Sequence, residues 1–176
     1  MLNAFKAQLK NLSEDPRDPF HLKVRKRVGK RATLLLEKRL RQLILITPDM
    51  IQRVYLLWRQ FPEDAPARRV SGYLLTYLYH PQDFLPEDRH GLFGYLDDAY
   101  FAALVYEYVL ESLEGTTGYK PTVLDKRFVR DIANMKASAK LVIPEEAEKI
   151  ETMFHEIQKS DQSGLFAAAF TAREIE

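Results

Sequence analysis

The 176-residue sequence predicts an all-α fold, a compact single-domain bundle of about six helices with one apolar helix at its centre. Three observations carry that expectation. Apolar residues recur at three- and four-residue steps along most of the chain, and no alternating pattern of a half-buried strand is present. Prolines, glycines and short polar capping residues divide the chain into segments of helical length. The stretch from Gly94 to Leu113 is apolar on most of its sides, with Leu96, Tyr100, Phe101, Leu104, Val105 and Val109 spread around it, as befits a helix enclosed by others.

Taken in order, the first helix is expected from about Pro19 to Ile46, where Val24, Val28, Ala32, Leu36, Leu40 and Leu43 form one stripe. Thr47-Pro48-Asp49 then offers a side-chain cap, a proline at the first helical position and an acid in the first turn, so a separate helix is expected from about Pro48 to Gln60. Phe61-Pro62-Glu63-Asp64-Ala65-Pro66 breaks it. A third helix, about Ala67 to Tyr79, must stop before Pro81, because the residue preceding a proline disfavours helical geometry. The central helix follows from Gly94 and ends at Gly115-Thr116-Thr117-Gly118. Pro121 opens another, reaching about Lys140, and Pro144-Glu145-Glu146 opens the last, with Ile150, Phe154 and Ile157 as its apolar stripe. Residues 1–18 and 160–176 are expected as flexible extensions, the apolar Leu165 to Ile175 being either a docking helix or a frayed end.

Composition bounds the function. With 46% hydrophobic and 29% charged residues, the chain has the make-up of a water-soluble globular domain. Zero cysteines exclude disulfides, thiolate zinc sites and a cysteine nucleophile, and they agree with a reducing compartment. Met1 to Lys10 lacks the continuous apolar core of a signal peptide, and Asp97, Asp98 and Glu107 interrupt the longest apolar candidate for a membrane span. The expected location is the cytoplasm, with a peripheral position at a membrane as the alternative. The net charge of +1 hides two opposed segments. Arg17 to Arg41 holds ten Lys or Arg against two acids, and His80 to Gly115 holds eight acids against the single Arg89. Either the segments meet and neutralise each other or they face apart as two poles.

Two constellations carry possible chemistry. In the first, Pro81, Gln82, Asp83, Phe84, Leu85 and Pro86 lead through Gly91 and Gly94 into Asp97 and Asp98. The prolines fix φ and the glycines permit backbone shapes that other residues resist. Asp97 and Asp98 lie in the first turn of the central helix, where a carboxylate is favoured by about 0.3–1 kcal/mol through the exposed N–H groups and the helix dipole. Asp83, Pro86, Gly94, Asp97 and Asp98 therefore read as a structural lock, with the seven tyrosines between Tyr73 and Tyr108 as core that can lend it hydroxyl donors. The competing reading gathers Asp83, Asp97 and Asp98 around a divalent cation such as magnesium, with His80 or His90 as acid or base, in a metal-dependent hydrolase. Adjacent helical residues diverge by about 100°, so Asp97 and Asp98 cannot aim at one point without help from the loop.

The second constellation is basic: Lys23, Arg27, Lys30, Arg31, Lys38 and Arg41 are candidates to meet an anionic partner, either nucleic acid or anionic lipid. The plainer alternatives are a solvated face or pairing with an acidic face made by Glu107, Glu111 and Glu114. No phosphate-binding glycine loop, nucleophile elbow, zinc-finger spacing or His-x-x-x-His pair is present, and no catalytic residue is assigned.

The order Pro81-x-Asp83-Phe84-Leu85-Pro86, then Gly94-Tyr95-Leu96-Asp97-Asp98, resembles the YkvA-like family of bacterial helical domains of unknown function. The likeness covers about residues 74–110. It implies a helical ancestry and supplies no activity. Glu87-Asp88-Arg89-His90-Gly91 replaces the hydrophobic, proline-containing connection common in that family, which weakens any membrane role suggested for relatives. The function expected is that of a non-enzymatic helical module acting through a protein partner or an acidic surface, with the metal-dependent hydrolase and the binding of nucleic acid or anionic lipid as alternatives. Oligomeric state is not legible.

Overall fold

Six α-helices and two short 3-10 turns make up nearly all of the residues that the computed structural model describes, namely 2–77, 84–85, 90–117, 119–120 and 122–159. They are α1 (Leu2–Glu14), α2 (Phe20–Leu57), α3 (Pro66–Tyr77), α4 (Leu96–Thr117), α5 (Val123–Val142) and α6 (Pro144–Lys159), with 3-10 turns at Trp58–Gln60 and Gly91–Tyr95. No strand occurs among the described residues. The fold is an all-α helical bundle, and no described helix is long and apolar enough to cross a membrane.

α4 lies at the centre because, apart from the strip carrying Glu107, Glu111 and Glu114, its sides are apolar. Leu96, Phe101, Ala102, Ala103, Val105, Val109 and Leu113 are fully buried, and α2, α3, α5 and α6 all pack against the helix. Its alanines let neighbouring helices approach closely, while Phe101, Tyr100 and Tyr106 fill the wider gaps. Each large side chain so buried contributes about 1.5–3 kcal/mol. Tyr73 and Tyr77 of α3 meet Phe101 edge to face, with ring centroids 6.0 and 5.2 Å away.

α2 departs from expectation twice. The break foreseen at Thr47-Pro48 does not occur: Pro48 lies buried inside a continuous helix, and the Thr47 hydroxyl donates to the Leu43 carbonyl at 3.0 Å instead of capping. An internal proline costs about 3 kcal/mol. Continuing the helix buries Leu40, Leu43, Ile44, Met50, Ile51 and Val54 in one row, and at about 1.5–3 kcal/mol each that gain outweighs the cost.

The real interruption is at Gly29, whose φ of 79° and ψ of 167° belong to a region that only glycine occupies readily. It also corrects the predicted stripe. Steps of four residues advance about 40° beyond a full turn, so a row from Val24 to Leu40 cannot stay on one side of a straight helix. Val24, Leu40 and Leu43 are buried, whereas Val28, Ala32 and Leu36 are only half-buried and Thr33 takes the inward position.

The N-terminal stretch read as an extension is instead a docked helix. Leu9 of α1 is fully buried, Phe5 packs on Tyr95, Gln8 Nε2 donates to the Tyr95 hydroxyl at 2.7 Å, and Lys6 pairs with Asp49. At the other end, the expected tail from 160 to 176 lies outside the described residues. α5 begins two residues beyond Pro121 on a capping box: Thr122 Oγ1 accepts the Asp125 N–H at 3.1 Å, and Asp125 accepts the Thr122 N–H at 3.0 Å.

Candidate functional site

The entrance to α4 is organised by two carboxylates. Asp97 sits in the first turn of the helix with no solvent exposure. Its Oδ2 accepts the main-chain N–H of Phe84 at 3.1 Å and of Leu85 at 3.0 Å, together with the Tyr77 hydroxyl at 3.4 Å. Its Oδ1 accepts the Asp98 N–H at 3.0 Å. Four donors thus converge on a group with about four lone-pair positions. Asp98, 3% exposed, is buried beside it. Among the described residues no group of three His, Asp or Glu side chains is placed to hold a metal ion, while Asp83, Pro86 and His80 lie outside the described residues.

Asp18 is the second carboxylate, and sequence analysis did not single it out. Its Oδ1 accepts the Phe20 N–H at 2.9 Å at the start of α2, and its Oδ2 accepts the Leu92 N–H at 2.8 Å at the start of the 3-10 turn. Gly91 has a φ of 59°, and a Cβ there would collide with the Asp18 carboxylate, so glycine is required on two counts. Gly94, expected to use the same freedom, does not have a positive φ and is buried within the turn. The signal in the sequence was Asp18-Pro19-Phe20, an acid just ahead of a proline at a helix start.

His90 precedes this turn, with Nδ1 3.0 Å from the Lys23 ammonium and its ring near Phe93. Since an ammonium only donates, Nδ1 accepts and the ring proton resides on Nε2.

The six basic candidates divide into two sets. Lys23 meets His90; Arg27 pairs with Glu146 at 2.8 Å; Arg41 pairs with Glu37 at 3.1 Å and stacks over Phe20. Lys30, Arg31 and Lys38 are exposed, and no ion pair among the described residues involves them. The acidic face of α4 does not neutralise them. Glu107 pairs with Lys136 of α5, and Glu107, Glu111 and Glu114 line an open groove of about 290 Å³ with Lys126 and Val129. That groove is lined by residues of α4 and α5, and none of the α2 cations lies among them.

Two further polar clusters brace the helices. Tyr100 donates to Glu151 at 2.5 Å, and Lys140 reaches both Glu151 oxygens at 2.7 Å. Burial and the Glu151 carboxylate push the Tyr100 hydroxyl well above its ordinary range. Burial acts to raise the Glu151 carboxyl, yet the hydrogen bonds from Lys140 and Tyr100 prevail and hold it below its ordinary value. Arg53 meets Asp125 at 2.9 Å and stacks over Phe128. In comparisons with protein-family models, curated proteins and solved structures, none matches this chain.

Proposed function

We propose that this chain is a non-enzymatic helical module that works by contact with an acidic partner surface. The observation that carries this reading is the set Lys30, Arg31 and Lys38, held in the open on α2 and left unneutralised by any described acid. Cations so placed attract a polyanionic surface across about one Debye length, roughly 8 Å at physiological salt. Asp97 serves as the structural lock for the segment before α4, since its acceptor positions are taken up by main-chain and tyrosine donors. A carboxylate engaged in this way has little capacity left for magnesium, which favours the lock over the hydrolase. The resemblance to the YkvA-like family agrees, because the residues that carry it are turn-shaping and helix-starting types.

Retention of the intact protein on heparin at low salt, released as salt rises, is the expected result. The triple substitution Lys30→Glu, Arg31→Glu, Lys38→Glu should abolish retention at an unchanged melting temperature. Equal retention of that variant would overturn the reading. Calorimetric titration with magnesium and manganese is expected to give no heat of binding.

A further inference from the structure

The basic face of α2 is not purely polar. Leu34 and Leu35 are 71% and 75% exposed, far more open than large aliphatic side chains usually stand. Both lie beyond the Gly29 break, and residues 31, 34, 35 and 38 share one face of a helix at steps of three and four. Arg31 and Lys38 thus stand one turn to either side of the leucines, with Lys30 and Arg39 exposed beside them. Ahead of the break, Leu22 is 65% exposed and follows the same rule, one turn from Arg25 and Lys26, which are also exposed. The helical segment after Gly29 opens on Lys30 and Arg31, cations at the positive end of a helix dipole, an arrangement that nearby anions relieve.

We infer that this face docks on the surface of an anionic lipid bilayer, with Leu34 and Leu35 entering the headgroup boundary and Lys30, Arg31, Lys38 and Arg39 meeting lipid phosphates. The inference rests on the acidic-surface reading above and names the surface. Apolar side chains set among cations are the pattern of an interfacial helix, whose affinity adds buried apolar area to electrostatic attraction. Nucleic acid would use the cations and leave the leucines in water. The depression that Leu34 and Lys38 share with Glu37, Arg41, Gln42 and Leu45, its one acid paired with Arg41 and His21, is open and does not enclose a small molecule, so an extended surface is the better fit.

Co-sedimentation of the full chain with phosphatidylcholine vesicles, with and without one third phosphatidylglycerol, tests this. Binding to the anionic vesicles alone is expected. The double substitution Leu34→Ser, Leu35→Ser should weaken it by about tenfold or more, because the insertion term is lost while the charge remains, and heparin retention should be unchanged. A Leu35→Trp variant provides a second readout, its emission moving to the blue on anionic vesicles by more than the wild-type chain's. Failure of the wild type to bind anionic vesicles, or equal binding by the leucine variant, overturns the inference, as does an unmoved Leu35→Trp emission. Heparin retention without vesicle binding, or preferential binding of a duplex oligonucleotide, would sink the bilayer while leaving the acidic-surface reading intact. Loss of both kinds of binding would remove both.

Discussion

Asp97 accepts the main-chain N–H of Leu85 at 3.0 Å from across twelve residues of chain, while its other oxygen holds the Asp98 N–H of its own helix. A single side chain therefore ties the connection before α4 to the first turn of that helix. The relationship has a measurable consequence. Asp97→Ala leaves the Leu85 and Phe84 donors without their acceptor, and each orphaned donor costs about 1–3 kcal/mol where water is excluded. For a chain of this size the two donors together should lower the melting temperature by about 4–20 °C. Asp98→Ala should also lower it, and by more than any change in ligand binding. A thermal melt that leaves either variant unchanged would contradict the lock.

Asp18 and Gly91 form a pair that can be tested as a unit. Gly91→Ala introduces a positive-φ strain and a clash with the carboxylate, for about 1–3 kcal/mol of destabilisation. Asp18→Ala removes the acceptor of the Phe20 and Leu92 N–H groups but also the clash. The double variant should be less destabilised than the two single effects added together, as residues in direct contact are non-additive. Urea denaturation of all four chains gives the coupling; strict additivity would mean that the two do not meet.

Gly29 carries a different kind of strain. A Cβ there touches nothing within 4 Å, so the penalty for Gly29→Ala is conformational alone, about 1–3 kcal/mol. The expected effect on the melting temperature is a fall of about 2–10 °C. No fall would show that α2 straightens without cost.

Acid should loosen the α4–α5–α6 junction. The Glu151 carboxyl is held below its ordinary value of 4.5, so the native state binds its proton less readily than the unfolded chain. The stabilisation is complete above about pH 4.5 and is lost as pH falls through the depressed native value. Glu37, raised by burial but lowered further by His21 and Arg41, and Asp125, lowered chiefly by Thr122, act in the same direction. Urea midpoints should therefore decline on acidification below pH 4.5, and Glu151→Gln should flatten that decline. An equal slope in the variant would exclude Glu151 as a contributor.

Thr122→Ala should cost about 0.5–2 kcal/mol, the usual loss of a helix cap, and should fray the start of α5 in hydrogen exchange. Protection unchanged at Asp125 would argue against the capping box.

Much of this molecule follows from local pattern. The all-α class, the apolar α4 and the acids in its first turn are legible because each depends on residues within a few turns of one another, where a 3.6-residue period and capping chemistry act directly. The six helices among the described residues also agree in number, but not in membership: Pro48 divides nothing, and Leu2–Glu14 adds a helix that was expected as an extension. Both differences come from burial against distant elements, which no local signal reports. Pro48 stays helical because Leu43, Ile44, Met50 and Ile51 face a core built largely by α4, and α1 is held by Leu9 and Tyr95. The site divides in the same way. That Asp97 and Asp98 begin a helix is a property of the sequence; that Asp97 grips Leu85, that Asp18 reaches Leu92 and that Glu107 chooses Lys136 over the basic helix are decisions of the tertiary structure. Short-range propensity selects which segments coil, whereas the partners of buried polar groups are chosen only when packing brings far-apart stretches within hydrogen-bonding distance and removes the water that would otherwise satisfy them.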